Sequence, residues 1–197
     1  GREACVFDTD LSYKAITDAI KRKDKEKFLF TIEFFPEEGK YHFDGHRGCN
    51  ILWSPEETRK NKGVCPVCRR PVTVGVMNRV ETLADRSPGF VPENSIPYRS
   101  LIPLQEIIAE AIGKEVQTQS VENEYRRLIS KFGSEFEILL NTSIPELKVF
   151  GKERIAEGVE RMRKGKVKII PGYDGIYGKI SIFSEDEKET SGQMGLF

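Results

Sequence analysis

Three thiols and two imidazoles fall between positions 42 and 68: His42, His46, Cys49, Cys65 and Cys68. Four of them make a paired pattern, His46-x2-Cys49 followed by Cys65-x2-Cys68. A two-residue spacer lets one tight turn, a knuckle, place two donors on the same side of a metal ion, and two knuckles complete a tetrahedral shell of nitrogen and sulfur. Gly63 and Pro66 supply turn chemistry at the second knuckle. Zinc is the ion this donor set fits. Four protein ligands leave no open coordination position, so the expected role is structural, the reading as a catalytic zinc enzyme is set aside, and no catalytic residue is assigned. His42 and Asp44 stand close enough to replace His46 as fourth ligand; the knuckle spacing favours His46.

The elements that must position these donors read as an α+β chain. Residues 1–39 form strand, helix, strand. Ala4 to Phe7 is a short buried strand, Ser12 caps a helix with Ala15, Ile16, Ala19 and Ile20 on its apolar face, and Phe28 to Phe35 is a second strand. Two strands and a helix cannot bury a core alone, so this stretch is the edge of something larger or packs on later parts of the chain. Residues 40–86 form the zinc module, with a helical pattern through Val76, Val80 and Leu83. Residues 87–102, rich in proline, read as a linker. Residues 103–183 read as a helical domain: helices near 103–112 and 120–132, a third after a Ser134/Glu137 capping box, and a fourth over Lys152–Lys164. They end in a β-hairpin, Val167–Ile170 with Lys179–Phe183, around Pro171-Gly172-Tyr173-Asp174-Gly175. Residues 184–197 are an acidic, flexible tail.

With 197 residues and 38% hydrophobic content, the chain can bury a core without disulfides and is not wholly disordered. It has no apolar run near eighteen residues, so no membrane helix is expected, and no signal peptide is visible. A cytoplasmic protein with reduced thiols is expected. The start at Gly1 suggests a piece of a longer or processed protein.

Lys+Arg 31 balance Asp+Glu 31, and zero net charge, taken alone, argues against a nucleic-acid partner. The balance is an average. Residues 40–79 hold eight basic and three acidic groups, and residues 147–183 hold nine and four. Two basic regions on one chain suit a clamp on phosphates. The candidates in the first are Arg47, Arg59, Lys60, Lys62, Arg69 and Arg70. In the second they are Arg161, Arg163, Lys164, Lys166 and Lys168. In the loop Pro171–Gly178, Tyr173 and Tyr177 could stack on an unpaired base or simply pack as a hairpin turn. Gln193, Leu196 and Phe197 at the end follow the first half of a sliding-clamp-binding peptide.

The block Tyr41-His42-Phe43-Asp44-Gly45-His46-Arg47, with Cys49, Cys65-Pro66-Val67-Cys68 and the run Arg79 to Arg86, resembles endonuclease Q and its PHP-domain relatives. Residues Gly1 to Tyr13 resemble the segment after that family's last PHP metal motif. Gly151 to Ile180 resembles its C-terminal domain. The resemblance implies a DNA repair nuclease that cuts 5′ of deaminated bases, with DNA carrying such bases as partner. It implies that residues 1–39 are the C-terminal remnant of a PHP α/β barrel, followed by a small zinc-ribbon-like module and the helical domain. The catalytic divalent metals would sit in a PHP half upstream of Gly1, and this chain alone would not cleave. The rival reading is a stand-alone zinc-ribbon module that binds protein or RNA.

Overall fold

The computed structural model describes residues 3–184 and Glu187. The tail residues Gln193, Leu196 and Phe197 lie outside the described residues.

Strand β1 (Ala4–Phe7) runs antiparallel to β2 (Phe28–Glu33), with Ala4 opposite Ile32. Helix α1 (Tyr13–Arg22) joins them. It starts at Ser12, whose extended backbone lets the hydroxyl accept the Ala15 N–H at 3.1 Å. It stops at Lys23, which adopts the left-handed conformation at φ 50°. The third strand of this sheet lies in the proline-rich stretch expected to be a linker. Tyr98–Ser100 is β5 and pairs in parallel with β2, Glu33 opposite Ser100. Its few residues, flanked by Pro97 and Pro103, carry no local strand pattern; the pairing with β2 makes it a strand.

Helices α4 (Leu104–Ile112), α5 (Gln119–Phe132), α6 (Ile144–Phe150) and α7 (Glu153–Arg163) come next. Helix α6 is absent from the sequence reading. It is started by a capping box in which Ser143 accepts the Glu146 N–H while the Glu146 carboxylate accepts the Ser143 N–H and hydroxyl. One core runs through these helices and back into the sheet: Leu104, Ile107, Leu128, Leu139 and Val159 are buried together with Ile32 of β2. Residues 3–39 therefore pack on the helical part of the same chain. Each such side chain contributes about 1.5–3 kcal/mol relative to exposure.

The expected third helix is a π-turn over Glu137–Asn141. The Ser134 hydroxyl does cap it, accepting the Glu137 N–H at 3.1 Å. The Thr142 N–H then reaches back five residues to the Glu137 carbonyl at 2.8 Å.

Strands β6 (Lys168–Ile170) and β7 (Lys179–Ser181) form the expected closing hairpin. Glu187 falls within the expected flexible tail, yet its carboxylate accepts Arg161 at 2.6 and 3.0 Å and the Ser184 N–H at 2.7 Å. The Arg161 guanidinium holds the Glu187 carboxyl down at about 2, helped by the Ser184 N–H.

Candidate metal centre and nucleic-acid interface

The cysteine-rich region builds from very short elements. Strand β3 (Asp44–His46) pairs antiparallel with β4 (Ile51–Trp53). Between them a single 3-10 turn, Arg47–Cys49, ends at Asn50 in the left-handed conformation, φ 53°. That turn is the first knuckle. Helix α2 (Pro55–Lys60), with a Ser54–Glu57 capping box, leads to the second. There the Arg69 N–H bonds the Cys65 carbonyl at 3.0 Å and the Cys65 N–H bonds the Arg70 carbonyl at 2.9 Å.

The two knuckles meet. One donor atom each from His46, Cys49, Cys65 and Cys68 lies within 4.8 Å of all the others. His46 Nδ1 stands 3.6 Å from Cys68 Sγ. Bond lengths of about 2.3 Å for Zn–S and 2.0–2.1 Å for Zn–N give an N···S edge of about 3.6 Å in a tetrahedron. The spacing fits one tetrahedral metal ion. Among the described residues no second group of three or more such donors can hold a metal.

The thiols are set apart by their surroundings. The N–H of Cys68 and, after it, that of Val67 point at Cys65 and bring its thiol down to about 7 against the cost of burial. Burial first, and then the neighbouring cysteine sulfurs, push Cys49 up to about 11. A metal ion placed among them would hold both as thiolates.

The two substitute ligands are employed elsewhere. His42 is buried, its ring stacked on Phe43 with centroids 5.1 Å apart, and it is not part of the cluster. Asp44 is fully buried. Its Oδ1 accepts the Gly75 N–H at 2.6 Å and its Oδ2 accepts the Asn78 amide at 2.8 Å. Gly75 is the N-cap of α3 (Val76–Leu83), so Asp44 fastens that helix to β3.

The loop between β6 and β7 lies on this module. Tyr173 bridges Phe43 in parallel, and the Phe43 N–H bonds the Gly172 carbonyl at 2.9 Å. The N–H groups of Gly172, Gly175 and Gly178 bond the carbonyls of Glu37, Lys40 and Glu38 at 2.8, 2.9 and 3.0 Å. A side chain on Gly178 would collide with the Glu37 carbonyl, so only glycine fits this approach. Asp174 accepts the Arg47 N–H at 2.7 Å and the Thr73 hydroxyl at 2.6 Å. Burial opposes ionisation of Asp174, but these two donors and the Arg47 charge outweigh it and lower its pKa.

The basic candidates divide into two sets. Arg163 is not free to meet phosphate. Its guanidinium donates to the carbonyls of Leu139, Ile138 and Thr142 at 2.8, 2.8 and 2.7 Å, filling acceptors around the π-turn, and desolvation lowers its pKa. Arg161 is held by Glu157 and Glu187, Lys164 pairs with Glu160, Arg59 with Glu81, and Lys60 with Glu56. Arg47, Lys62, Arg69, Arg70, Lys166 and Lys168 are exposed. Tyr173 is half-buried against Gly45, whereas Tyr177 is 72% exposed. The sequence reading missed Lys40 and Tyr41. Lys40 Nζ lies 5.8 Å from the Tyr41 ring centroid and 5.6 Å from that of Tyr177. Two exposed aromatics thus share one cation beside Arg47.

Compared with solved structures, the chain matches the lesion-specific endonuclease PfuEndoQ from Pyrococcus furiosus with TM-score 0.81 and 29% identity, over 99% of this chain and 50% of that one. A second match is an endonuclease Q complex with a 27-mer duplex carrying an abasic lesion at the active site, with TM-score 0.76 and 32% identity, over 94% and 46%. The chain is similar to one half of endonuclease Q. A C-terminal half of endonuclease Q fits this coverage. Residues 103–166 match the MJ0043 C-terminal domain family. The uncharacterized protein MJ0043 of Methanocaldococcus jannaschii is 37% identical over 173 residues, which is 86% of this chain and 21% of that protein. The chain thus spans about half of the endonuclease Q structures and about a fifth of that relative. No helix among the described residues is long and apolar enough to cross a membrane.

Proposed function

We propose that this chain is the zinc-containing, DNA-binding part of an endonuclease Q-like repair nuclease acting at deaminated bases. The observation that carries the reading is the likeness to endonuclease Q over 99% of the chain, one of the matched structures having been solved on a lesion-bearing duplex. His46, Cys49, Cys65 and Cys68 hold one zinc ion, which fixes the two knuckles and carries out no chemistry. Cleavage 5′ of the lesion falls to a PHP metal centre on another part of the enzyme, and residues 1–39 form the end of that PHP domain.

In this reading DNA lies along two exposed basic edges. Arg47, Arg69 and Arg70 flank the metal site, and Lys166 and Lys168 lead into β6. These contacts neutralise phosphates and position the duplex. Tyr177, with Lys40 and Tyr41 beside it, offers the exposed ring for an unstacked base. Tyr173 supports the loop from beneath. The tail from Gln193 to Phe197 is proposed to reach a sliding clamp.

The test is fluorescence anisotropy with labelled duplexes that contain hypoxanthine, uracil or only normal bases. Tighter binding of the deaminated duplexes, by this chain or by this chain with a PHP half added in trans, supports the reading. Equal affinity for all three under both conditions, or preference for an unrelated RNA, overturns it.

A further inference from the structure

The loop from Pro171 to Gly178 ends in a two-residue turn. Asp174 and Gly175 both take positive φ, 42° and 85°, and Tyr173 and Ile176 exchange hydrogen bonds of 2.8 and 3.0 Å across them. Asp-Gly suits such a corner, and Asn-Gly suits it equally. The turn alone does not call for a carboxylate.

The carboxylate is used on the metal module. One oxygen takes the N–H of Arg47, the residue directly after the ligand His46 and the first of the knuckle turn. That N–H has no partner within its own turn. The other oxygen takes the hydroxyl of Thr73. Thr73 is in turn paired on both sides with Gly45, the residue directly before His46, at 2.7 and 2.9 Å. Asp174 therefore brackets His46 along the backbone, from a position 127 residues beyond Arg47 in the chain. The Tyr173 ring closes over Gly45 at the same place; a Cβ there would lie 2.5 Å from Tyr173 Cδ2.

We infer that Asp174 is a positioning residue for the metal knuckle, and that docking of the 171–178 loop and metal binding form one linked equilibrium. The inference rests on the reading of the Cys/His cluster as a zinc site. A metal ion fixes His46 and with it the Arg47 N–H that Asp174 takes. Docked Asp174 in turn holds His46 where the ion needs it. Linkage makes the effect reciprocal: whatever loosens one loosens the other. Strands β6 and β7 hang from this loop, so the metal also sets where Lys168 and Lys179 are presented.

Asp174→Asn separates turn from latch, since asparagine keeps the corner but offers one acceptor oxygen where the carboxylate gives one to each donor. The full chain, zinc-loaded, is compared with Asp174→Asn, Thr73→Val and Thr73→Ser. Zinc stoichiometry is measured first, then zinc release to a chromophoric chelator, then hydrogen exchange at the amides of Gly172, Gly175 and Gly178. The expected result is one zinc per chain throughout. Release from Asp174→Asn is about 10-fold faster, in line with losses at supporting residues of metal sites. Thr73→Val shows a smaller increase and Thr73→Ser behaves as the parent. Stripping zinc from the parent speeds exchange at the three loop amides and leaves α4 to α7 protected. Unchanged release in Asp174→Asn, or loop exchange indifferent to zinc, overturns the latch while the zinc site stands. A parent chain that holds no zinc overturns the metal reading and the latch with it.

Discussion

Arg163 on α7 donates through Nε to the carbonyl of Leu139 at 2.8 Å, joining the last turn of one helix to the widened turn of another segment. The same guanidinium reaches Ile138 and Thr142. A π-turn leaves carbonyls that its own N–H groups cannot satisfy, and a planar fork of donors answers several at once.

Arg163→Ala is expected to lower stability by about 2–4 kcal/mol, because buried carbonyls lose their partner. Thermal or denaturant unfolding measures it. The salt dependence of DNA binding by the folded variant should equal that of the parent. A reduced slope would return Arg163 to the set of phosphate contacts.

Lys166 and Lys168 are exposed. Replacing both with glutamine is expected to lower the slope of log K against log salt by about 2, since each phosphate contact contributes about 0.9. Anisotropy titrations across several salt concentrations read the slope, and unfolding curves should be unaltered.

His46, His42 and Asp44 are separated by metal content. His46→Ala is expected to lose tight zinc, whereas His42→Ala and Asp44→Asn keep one ion per chain. Asp44→Asn leaves the Gly75 N–H or the Asn78 amide facing a donor and costs about 1–3 kcal/mol in stability. Elemental analysis after dialysis, paired with thermal unfolding, distinguishes the two kinds of loss.

The Arg161–Glu187 pair should give an acid-dependent contribution. The folded carboxyl lies at about 2 against an ordinary value of 4.5, so its stabilisation is complete above pH 4.5 and is lost as the pH falls toward 2. The difference in Tm between the parent and Glu187→Gln is therefore expected at neutral pH and should close on acidification. A difference that persists undiminished down to pH 2 would show that the charge is not its source.

The Cys/His cluster is legible in the sequence because each knuckle is local: two candidate ligands, one turn, fixed spacing. Which imidazole joins the cluster is less so, since His42 and His46 sit on one short stretch and only the fold packs His42 inward against Phe43. Helices α1, α3, α4, α5 and α7 are legible from their apolar periodicity, whereas α2 and α6 are too short to show one and carry only their capping boxes. Strand β5 is not, because Tyr98–Ser100 becomes a strand only by lying beside Thr31–Glu33. Arg163 reads as one more surface cation until the π-turn brings three carbonyls to it. Asp174 reads as a turn residue; its partners Thr73 and Arg47 lie 101 and 127 positions earlier.

The parallel pairing of β2 with β5 has a topological consequence. The chain leaves the sheet after Glu33 and returns at Tyr98, which sits opposite Thr31. In a parallel pair the chain leaves and returns at opposite ends of the strands, so residues 34–97 form a crossover, and the 171–178 loop ties that crossover to the framework a second time. Chelation should therefore fray the closing hairpin together with the crossover, while α4 to α7 keep their own melting transition.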